Sequence, residues 1–536
     1  MISNTSTLPD NPEELKALIE QLQSSHLAEL EKLKGRQEAE VHLLQEQVRH
    51  LYDKLFGRKS EKSRYGDKSP QLSLFDMPEP DPDARAEEAL EVKQHTRRRG
   101  KRKPLPDNLP RVDIVHDIDE QEKICHCGSA LNRIGEEVSE KLDIIPAVIQ
   151  VVRHIRPKYS CKQCENAAEN GPTVKMAPAP AQLLPKAIAS GGLMAHILTA
   201  KFADSLPFYR QEQQFFRLGA DIPRATMSRW AMRVAEACLP LKNLLRQQIL
   251  AGPLINGDET TVQVLKEPGK AATSKSYMWV FRGGLPGAPA LYFHYHQTRA
   301  TDVAAEFLDG YKGVVQTDGY AGYDFLDEKQ DIIHLGCLAH ARRKFKEAQK
   351  ARGKNSKKSG APDMALKYIK ALYHLEKKAK AQNLSAEELQ DLRQAEAKPI
   401  LDNMYAWLVK KSTHVVPKSL LGKAVTYTLN QWDRLNAYID YPFATPDNNL
   451  AENAIRPFCV GRKNWLFAGT PAGAEASATI YSLIESAKAN RLEPYKYLRY
   501  LFEQLPFAAA VDDYRKLMPS NLTPEILEEA PKVSSV

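Results

Sequence analysis

PLINGDETTVQVL, residues 253–265, is the stretch on which the reading of this chain turns. After Gly257 its β-branched residues follow the period-two alternation of a strand that shows one face to a core. Asp258 shares a face with Thr260, Val262 and Val264, and Glu259 shares the opposite one with Thr261 and Gln263. Asp258 therefore stands at the polar end of the interior face, where an acid is costly unless something cationic pairs with it. Residues 277–282 and 290–296 read as two further strands of a meander, followed by a helix near residues 300–308. GVVQTD, residues 313–318, is a short apolar strand that ends in an acid and then Gly319. That sets Asp318 at the carboxyl end of a central strand, where open sheets bind ligands. Residues 331–335 give another strand, and Cys337 opens a helix bearing His340, Arg342, Arg343 and Lys344.

A third acid comes from PDNNLAENAIRP, residues 446–457. Asp447 or Asn448 is the expected N-cap of a helix over residues 449–456, with Pro457 discouraging its continuation. Glu452 and Arg456 share one face of it, one turn apart, behind a helix N-terminus that favours anions. Two strand-borne aspartates and a helix-borne glutamate could converge on a pair of hard divalent cations, and oxygen ligands suit Mg²⁺. Two such ions can activate a water or a 3′-hydroxyl and steady the leaving oxygen of an in-line displacement. The competing reading makes all three acids ordinary caps and surface groups. Asp447 and Asp324 are the alternatives to Glu452 and Asp318.

At 536 residues the chain calls for three or four units. Charged residues make up 26%, mean hydropathy is −0.47, and no apolar run is long enough to cross a bilayer. No N-terminal signal peptide is visible, and seven cysteines with four in two close pairs do not resemble a secreted disulfide framework. A cytoplasmic location is expected. The net charge of +8 is less telling than its clustering, in RRRGKRK at residues 97–103 and again over residues 341–358. Such clusters favour a polyanion, nucleic acid first.

Toward the N-terminus, Leu27, Leu30, Val41, Leu44, Val48, Leu51 and Leu55 fit one heptad frame, with Lys34 and Gln37 at seam positions. Leu15, Leu18 and Leu22 fit the same period in a shifted phase. This is the pattern of a coiled coil with a stutter, and it implies a homodimer or higher oligomer. Residues 57–104 have a linker's composition. The pairs Cys125–Cys127 and Cys161–Cys164 suit a tetrahedral structural Zn²⁺. Cys125-His-Cys127 is one residue short of the usual knuckle, so His126 is an alternative ligand. Between the pairs a strand is expected to carry Arg153, His154, Arg156 and Lys158 toward a phosphate backbone. LGADIPRATMSRWAMRV, residues 218–234, sets Arg224, Ser228 and Arg229 at the start of the second helix of a helix-turn-helix or of an ordinary helical pair.

Several longer strings carry a resemblance: LFGRKSEK (55–62), GDET (257–260), TDGYAGY (317–323), AHARRKF (339–345), LAENAIRP (450–457), GRKNWLFAGT (461–470) and IYSLIESAK (480–488). On these the chain resembles the bacterial transposases of the insertion sequence 66 family. The resemblance implies a multidomain α/β protein. Its parts are an N-terminal coiled coil (1–56), the linker (57–104), a zinc-binding β unit (105–180) and a helical DNA-binding region (181–250). An RNase H-like mixed-sheet core follows (251–345 and 441–490), interrupted by a helical insertion (346–440), with a C-terminal domain (491–536). The resemblance assigns the catalytic carboxylates to Asp258, Asp318 and Glu452, holding two Mg²⁺ or Mn²⁺ ions. It implies cleavage at the terminal inverted repeats of an element and joining to target DNA, with element-encoded accessory proteins beside it. Arg456, Lys463 and His340 are the expected supporting residues, and Arg342, Arg343 and Arg462 the expected backbone contacts. Cys337-Leu-Ala-His340 reads as a packing or hydrogen-bonding pair.

Overall fold

The computed structural model describes residues 11–56, 148–160, 174–352 and 360–529. The expected linker, Cys125, Cys127, Cys161, Cys164 and His126 all lie outside the described residues. The chain divides into two units, residues 81–154 and the remainder. Of the first, residues 148–154 are described, and they are irregular and largely exposed.

Helix α1 (Pro12–Phe56) passes unbroken through Gly35. Its heptad residues Leu22, Leu27, Leu30, Val41, Leu44, Val48 and Leu51 are 43–64% exposed, an apolar row facing water. The basic strand expected to carry Arg153, His154, Arg156 and Lys158 forms only at its end. Lys158 lies in β1 (Lys158–Ser160), paired antiparallel with β2 (Val174–Met176), whereas residues 148–157 have no regular structure. A strand pattern needs a partner to complete its ladder, and Arg156 instead donates to the Ala177 carbonyl at 3.1 Å.

Four helices follow: α2 (Gly191–Phe202), α3 (Phe208–Arg217), α4 (Arg224–Ala237) and α5 (Leu239–Leu250). The turn from α3 to α4 uses Gly219 at φ +82°, a conformation costly for other residues.

The five-stranded sheet is built from β3 (Leu254–Gln263), β4 (Lys275–Leu285), β5 (Ala288–His296), β6 (Gly313–Gln316) and β7 (Ile332–Leu335). Its order is β5-β4-β3-β6-β7; the first three pair antiparallel, and β6 and β7 add parallel to β3. Trp279, Phe281 and Phe293 are fully buried in the meander, and Phe281 stacks on Phe307 of α6 (Thr301–Phe307). Because β5 is an edge strand, its free backbone groups need cover. Helix α14 (Pro471–Ala489) supplies it through two serines one turn apart. Ser486 Oγ accepts from Leu291 N (2.9 Å) and Ser482 Oγ from Phe293 N (2.8 Å).

Helix α7 (Leu338–Ala351) opens at Cys337 and is followed by α8 (Ala361–Gln382), α9 (Ala386–Leu392), α10 (Lys398–Ser412), α11 (Leu420–Asn430) and α12 (Trp432–Asn436). Their apolar residues, among them Ile369, Leu372, Leu401, Met404 and Val425, form one core continuous with Leu335, Leu338 and Phe345. The helical stretch is thus packed onto the sheet's last strand and the helix after it.

Helix α13 is longer than its sequence signals. It runs Asn449–Trp465 with Pro457 inside it, not stopping at Arg456. An internal proline costs about 3 kcal/mol or more. Burial of Ile455, Phe458 and Cys459 around it offsets that cost, at roughly 1.5–3 kcal/mol for a large apolar side chain. The chain closes with α15 (Pro494–Gln504), α16 (Val511–Lys516) and α17 (Pro524–Glu529). Among the described residues no helix is long and apolar enough to cross a membrane.

Candidate active site

The register of β3 against β6 sets the first two acids side by side. Asn256 pairs with Gln316, so Asp258 and Asp318 each follow two residues beyond the last matched pair of adjacent parallel strands. Glu452 enters from the first turn of α13. The charges of Asp318 and Glu452 both act on Asp258, and that of Asp318 acts on Glu452. Asp258 is held well above the usual carboxylate range, first by burial and then by the charges of Glu259, Asp318 and Glu452. Glu452 is also raised, chiefly by burial, with Asp447 and Asp318 adding to it and Arg343 and Arg456 opposing. Hydrogen bonds fix the aspartates: Glu259 N donates to Asp258 Oδ1 (2.8 Å) and Tyr320 N to Asp318 Oδ1 (2.9 Å). Gly319 lies against Tyr427 of α11, where a Cβ would stand 2.6 Å from the phenol oxygen.

A buried amide ladder ties the three acid-bearing segments together. Asn448, the N-cap residue, spends its side chain on β3 instead of on its own helix. Its Nδ2 donates to the Gly257 carbonyl (2.7 Å), and its Oδ1 accepts from Asn256 Nδ2 (3.1 Å). Asn256 Nδ2 also donates to Gln316 Oε1 (3.0 Å), and Gln316 Nε2 donates to the Thr445 carbonyl (2.7 Å). Asn256, Gln316 and Asn448 are at most 1% exposed. Asn448→Ala removes two of these bonds, taking the side-chain donor from the Gly257 carbonyl and leaving Asn256 Nδ2 with Gln316 alone. It is expected to cost about 2–3 kcal/mol, read as a lower urea midpoint, with Glu452 loosened from its neighbours.

His340 Nε2 stands 3.5 Å from Glu452 Oε1. Burial, and after it the Arg343 charge, lower the imidazole to about 4, so it is neutral at neutral pH. Cys337, His340 and Glu452 each place one ligand atom within 4.8 Å of the others. The Cys337 thiol, raised by burial, accepts from Asn448 N at 3.2 Å. It acts as a neutral acceptor at the start of α13.

Glu259 is a residue that alternation alone did not single out. On the face away from Asp258 it accepts from Arg299 Nε (2.7 Å), from Arg299 Nη2 and from the Tyr323 hydroxyl (2.7 Å). The Arg299 guanidinium lies 3.4 Å over the ring of Tyr320, two residues after Asp318. This network runs from behind Asp258 to the turn that holds Asp318. Its only sequence signals are the paired acids of GDET and the tyrosines of TDGYAGY.

The alternatives separate from the cluster in different ways. Asp324 is exposed and pairs with Arg434 at 2.8 Å. Asp447 is buried, accepts from Asn449 N (3.2 Å) and acts on Glu452 through its charge. Arg342 and Arg343 are exposed on α7, and Lys463 is exposed near the end of α13. Arg462 turns inward, donating to Thr260 Oγ1 (3.0 Å) and Thr261 Oγ1 (3.2 Å), so it fastens α13 to β3. Arg224 and Arg229 are exposed on α4, the latter bonded to Thr226 at 3.3 Å.

Comparison with known proteins matches several regions of the chain. The model of the "Transposase IS66 family" matches residues 186–476, which hold the sheet, the helical stretch and all three acids. Its zinc-finger binding domain matches residues 122–165, a region containing Cys125, Cys127, Cys161 and Cys164. The IS66 C-terminal element matches residues 482–520, and the model described as "Transposase C of IS166 homeodomain" matches residues 43–114. Similar proteins include three from Sinorhizobium fredii (strain NBRC 101917 / NGR234). The uncharacterized protein y4jD is 35% identical over 78% of this chain and 81% of its own length. The uncharacterized protein y4hP is 30% identical over 76% and 74%, and y4qI is 27% identical over 98% and 100%. With its carboxylate-bearing sheet and more than half its length matched by one family model, the chain belongs to the IS66 family of transposases.

Proposed function

We propose that this chain cuts DNA at the ends of an insertion element and joins the freed ends to target DNA, using Asp258, Asp318 and Glu452. The observation that carries this reading is the β3–β6 register, which brings Asp258 and Asp318 alongside each other within the field of Glu452. The sheet order, an antiparallel meander extended by two parallel strands, supports an RNase H-like core.

The donor set fits hard divalent ions. Asp318 and Glu452 both raise Asp258 in a partly buried site, and among the described residues Glu452 Oε1 is buried without a hydrogen-bond partner. Asp258, Asp318 and Glu452 would hold two Mg²⁺ or Mn²⁺ ions, which supply charge for activating a water or 3′-hydroxyl and for steadying the leaving oxygen. The protein's own part is to hold that geometry. Asn448 and Asn256 lock α13 to β3, and neutral His340 flanks Glu452 without adding charge. Water attacks the phosphodiester at the element end, its proton passing to solvent and the 3′-oxygen leaving. The freed 3′-hydroxyl then attacks a target phosphodiester and displaces a target 3′-oxygen.

Lys463, Arg342 and Arg343 flank this site and suit phosphate oxygens. Arg224 and Arg229, with Arg153, Arg156 and Lys158, supply further basic positions for the terminal inverted repeats. A structural Zn²⁺ on Cys125, Cys127, Cys161 and Cys164 is supported by the zinc-finger match over residues 122–165. The exposed heptad row of α1 supports a homodimer or higher oligomer. Element-encoded accessory proteins are further partners, and the cytoplasm, at the nucleoid, is the site of action.

The test is a Mg²⁺-dependent assay of the full-length protein on a duplex carrying an element end, scored for new 3′-hydroxyl ends and joined products. Asp318→Asn and Glu452→Gln are expected to lose both while end binding persists. Cleavage retained by either variant overturns the assignment.

A further inference from the structure

Helix α13 ends in a backbone conformation that is rare for a residue other than glycine. Leu466 has φ +67° and ψ −51°, and Phe467 N donates to the Trp465 carbonyl across it at 2.9 Å. This is the rare and strained form of the γ-turn, and it is costly for any residue that carries a Cβ. Burial does not offset that cost. Leu466 is 62% exposed, and Phe467 beside it is 44% exposed.

The loop is nonetheless held firmly. Ala468 N donates to the Gln263 carbonyl (2.9 Å), Leu265 N to the Ala468 carbonyl (3.0 Å) and Lys266 N to the Gly469 carbonyl (3.1 Å). One turn before Leu466, Arg462 is bonded to Thr260 and Thr261. Exposed Lys463 stands beside it. Two apolar side chains are therefore raised on a strained, pinned turn with a cation at its foot. Strain kept in this way gathers at ligand clamps.

We propose that Leu466, with Phe467, is an apolar wedge that enters the base stack of DNA lying across the carboxylates, while Lys463 meets the adjoining phosphate. The proposal rests on the DNA-cleaving reading of that site and names how the duplex is gripped there. Apolar side chains flanked by cations suit a base step, because unstacked bases offer apolar faces and the backbone offers phosphate. The loop is pinned to β3 from Thr260 to Gln263 and, just past the strand, at Leu265 and Lys266. At about 3.3 Å per residue these pins lie on the order of 7–26 Å along the strand direction from Asp258. With base steps about 3.4 Å apart, the wedge acts roughly two to eight base pairs from the scissile phosphate.

The test uses full-length protein and an end-containing duplex with 2-aminopurine placed at each of those steps in turn. Ca²⁺ replaces Mg²⁺ so that no cleavage is needed. A several-fold fluorescence rise on binding is expected at one or two positions. It should be lost in Leu466→Gly and Leu466→Ser and kept in Leu466→Met. Leu466→Gly should melt no lower than the wild type, since glycine accepts this φ, which separates a lost wedge from a lost fold. Asp258→Asn must keep the signal. Unstacking by a protein that never cuts would uphold the wedge while sinking the cleavage reading. No rise at any position, or a rise unchanged in Leu466→Gly, overturns the wedge. So does a weakened self-association of Leu466→Gly with the fluorescence rise intact, which would make the loop a contact between copies of this chain.

Discussion

Asp258→Asn removes Mg²⁺-dependent strand cleavage by at least about a thousandfold, on the order of 4 kcal/mol of transition-state stabilisation. It also makes the metal-free protein more stable. Both outcomes follow from the same charge. Asp258 is raised well above the usual range by burial and by Glu259, Asp318 and Glu452. A group whose pKa is higher folded than unfolded stabilises the fold fully below its unfolded value, about 3.9 for aspartate. That contribution is lost as pH rises through the folded value. Above that unfolded value Asp258 therefore works against folding, and an amide of the same shape does not. The gain expected for Asp258→Asn is on the order of 1–2 kcal/mol at pH 7 without divalent ions, shrinking as the pH is lowered. Mg²⁺ should raise the melting temperature of the wild type and leave that of Asp258→Asn nearly still. Thermal melts with and without Mg²⁺ read both effects. A variant that melts lower than the wild type and still responds to Mg²⁺ would remove Asp258 from the metal-holding set.

Arg393→Ala is expected to cost about 3–5 kcal/mol, the range for breaking a buried ion pair from one side. Arg393 lies in the π-helical turn between α9 and α10, with its side chain 2% exposed. Its Nε and Nη2 donate to the two oxygens of Glu376, each at 2.9 Å. Its remaining donors reach the carbonyls of Tyr438 (3.1 Å), Tyr441 (3.0 Å) and Ala444 (2.9 Å). Those carbonyls belong to the segment that leads directly into Thr445, Asn448 and α13. One guanidinium thus joins the helical stretch to the approach of Glu452. Alanine strands the Glu376 carboxylate and takes a donor from all three carbonyls, although those of Tyr438 and Tyr441 keep the backbone N–H groups of Tyr441 (3.1 Å) and Ala444 (2.9 Å). Urea unfolding should show the loss as a shifted midpoint. Arg393→Met paired with Glu376→Leu should recover the part due to the stranded carboxylate, because replacing both ends of such a pair with apolar groups is often neutral, but not the part due to the carbonyls. A shift of less than about 1 kcal/mol in Arg393→Ala would mean the clamp is solvated and does not hold the segment.

The placement of the three acids was legible because local pattern determines where such residues fall, whereas their choice over Asp447 and Asp324 came from the family resemblance. Alternation set Asp258 on a strand, an apolar run ending in acid and glycine set Asp318 after one, and capping residues set Glu452 at the start of a helix. These signals arise within a few residues of each acid, so the sequence carries them without knowledge of the rest of the chain. The basic strand failed for the same reason read backwards. Residues 148–157 have strand-like composition, but a ladder needs a partner, which alternation does not supply. Pro457 failed likewise, since its local cost is outweighed by burial of Phe458 and Cys459 from outside the helix.

By itself, then, the sequence determined the strands of the five-stranded sheet, the start of the helix that carries Glu452, the heptad row and the kinds of acid offered to the site. Tertiary structure alone decided their convergence: the β3–β6 register, the Asn448 side chain turned from its own helix to Gly257, and the Arg299 bridge behind Glu259. It also decided the Arg393 clamp and the strained turn at Leu466. Each depends on groups that are tens to hundreds of residues apart in the chain. Hydrogen bonds and charges act across space, and the spacing of residues along a sequence holds no record of which distant groups will meet.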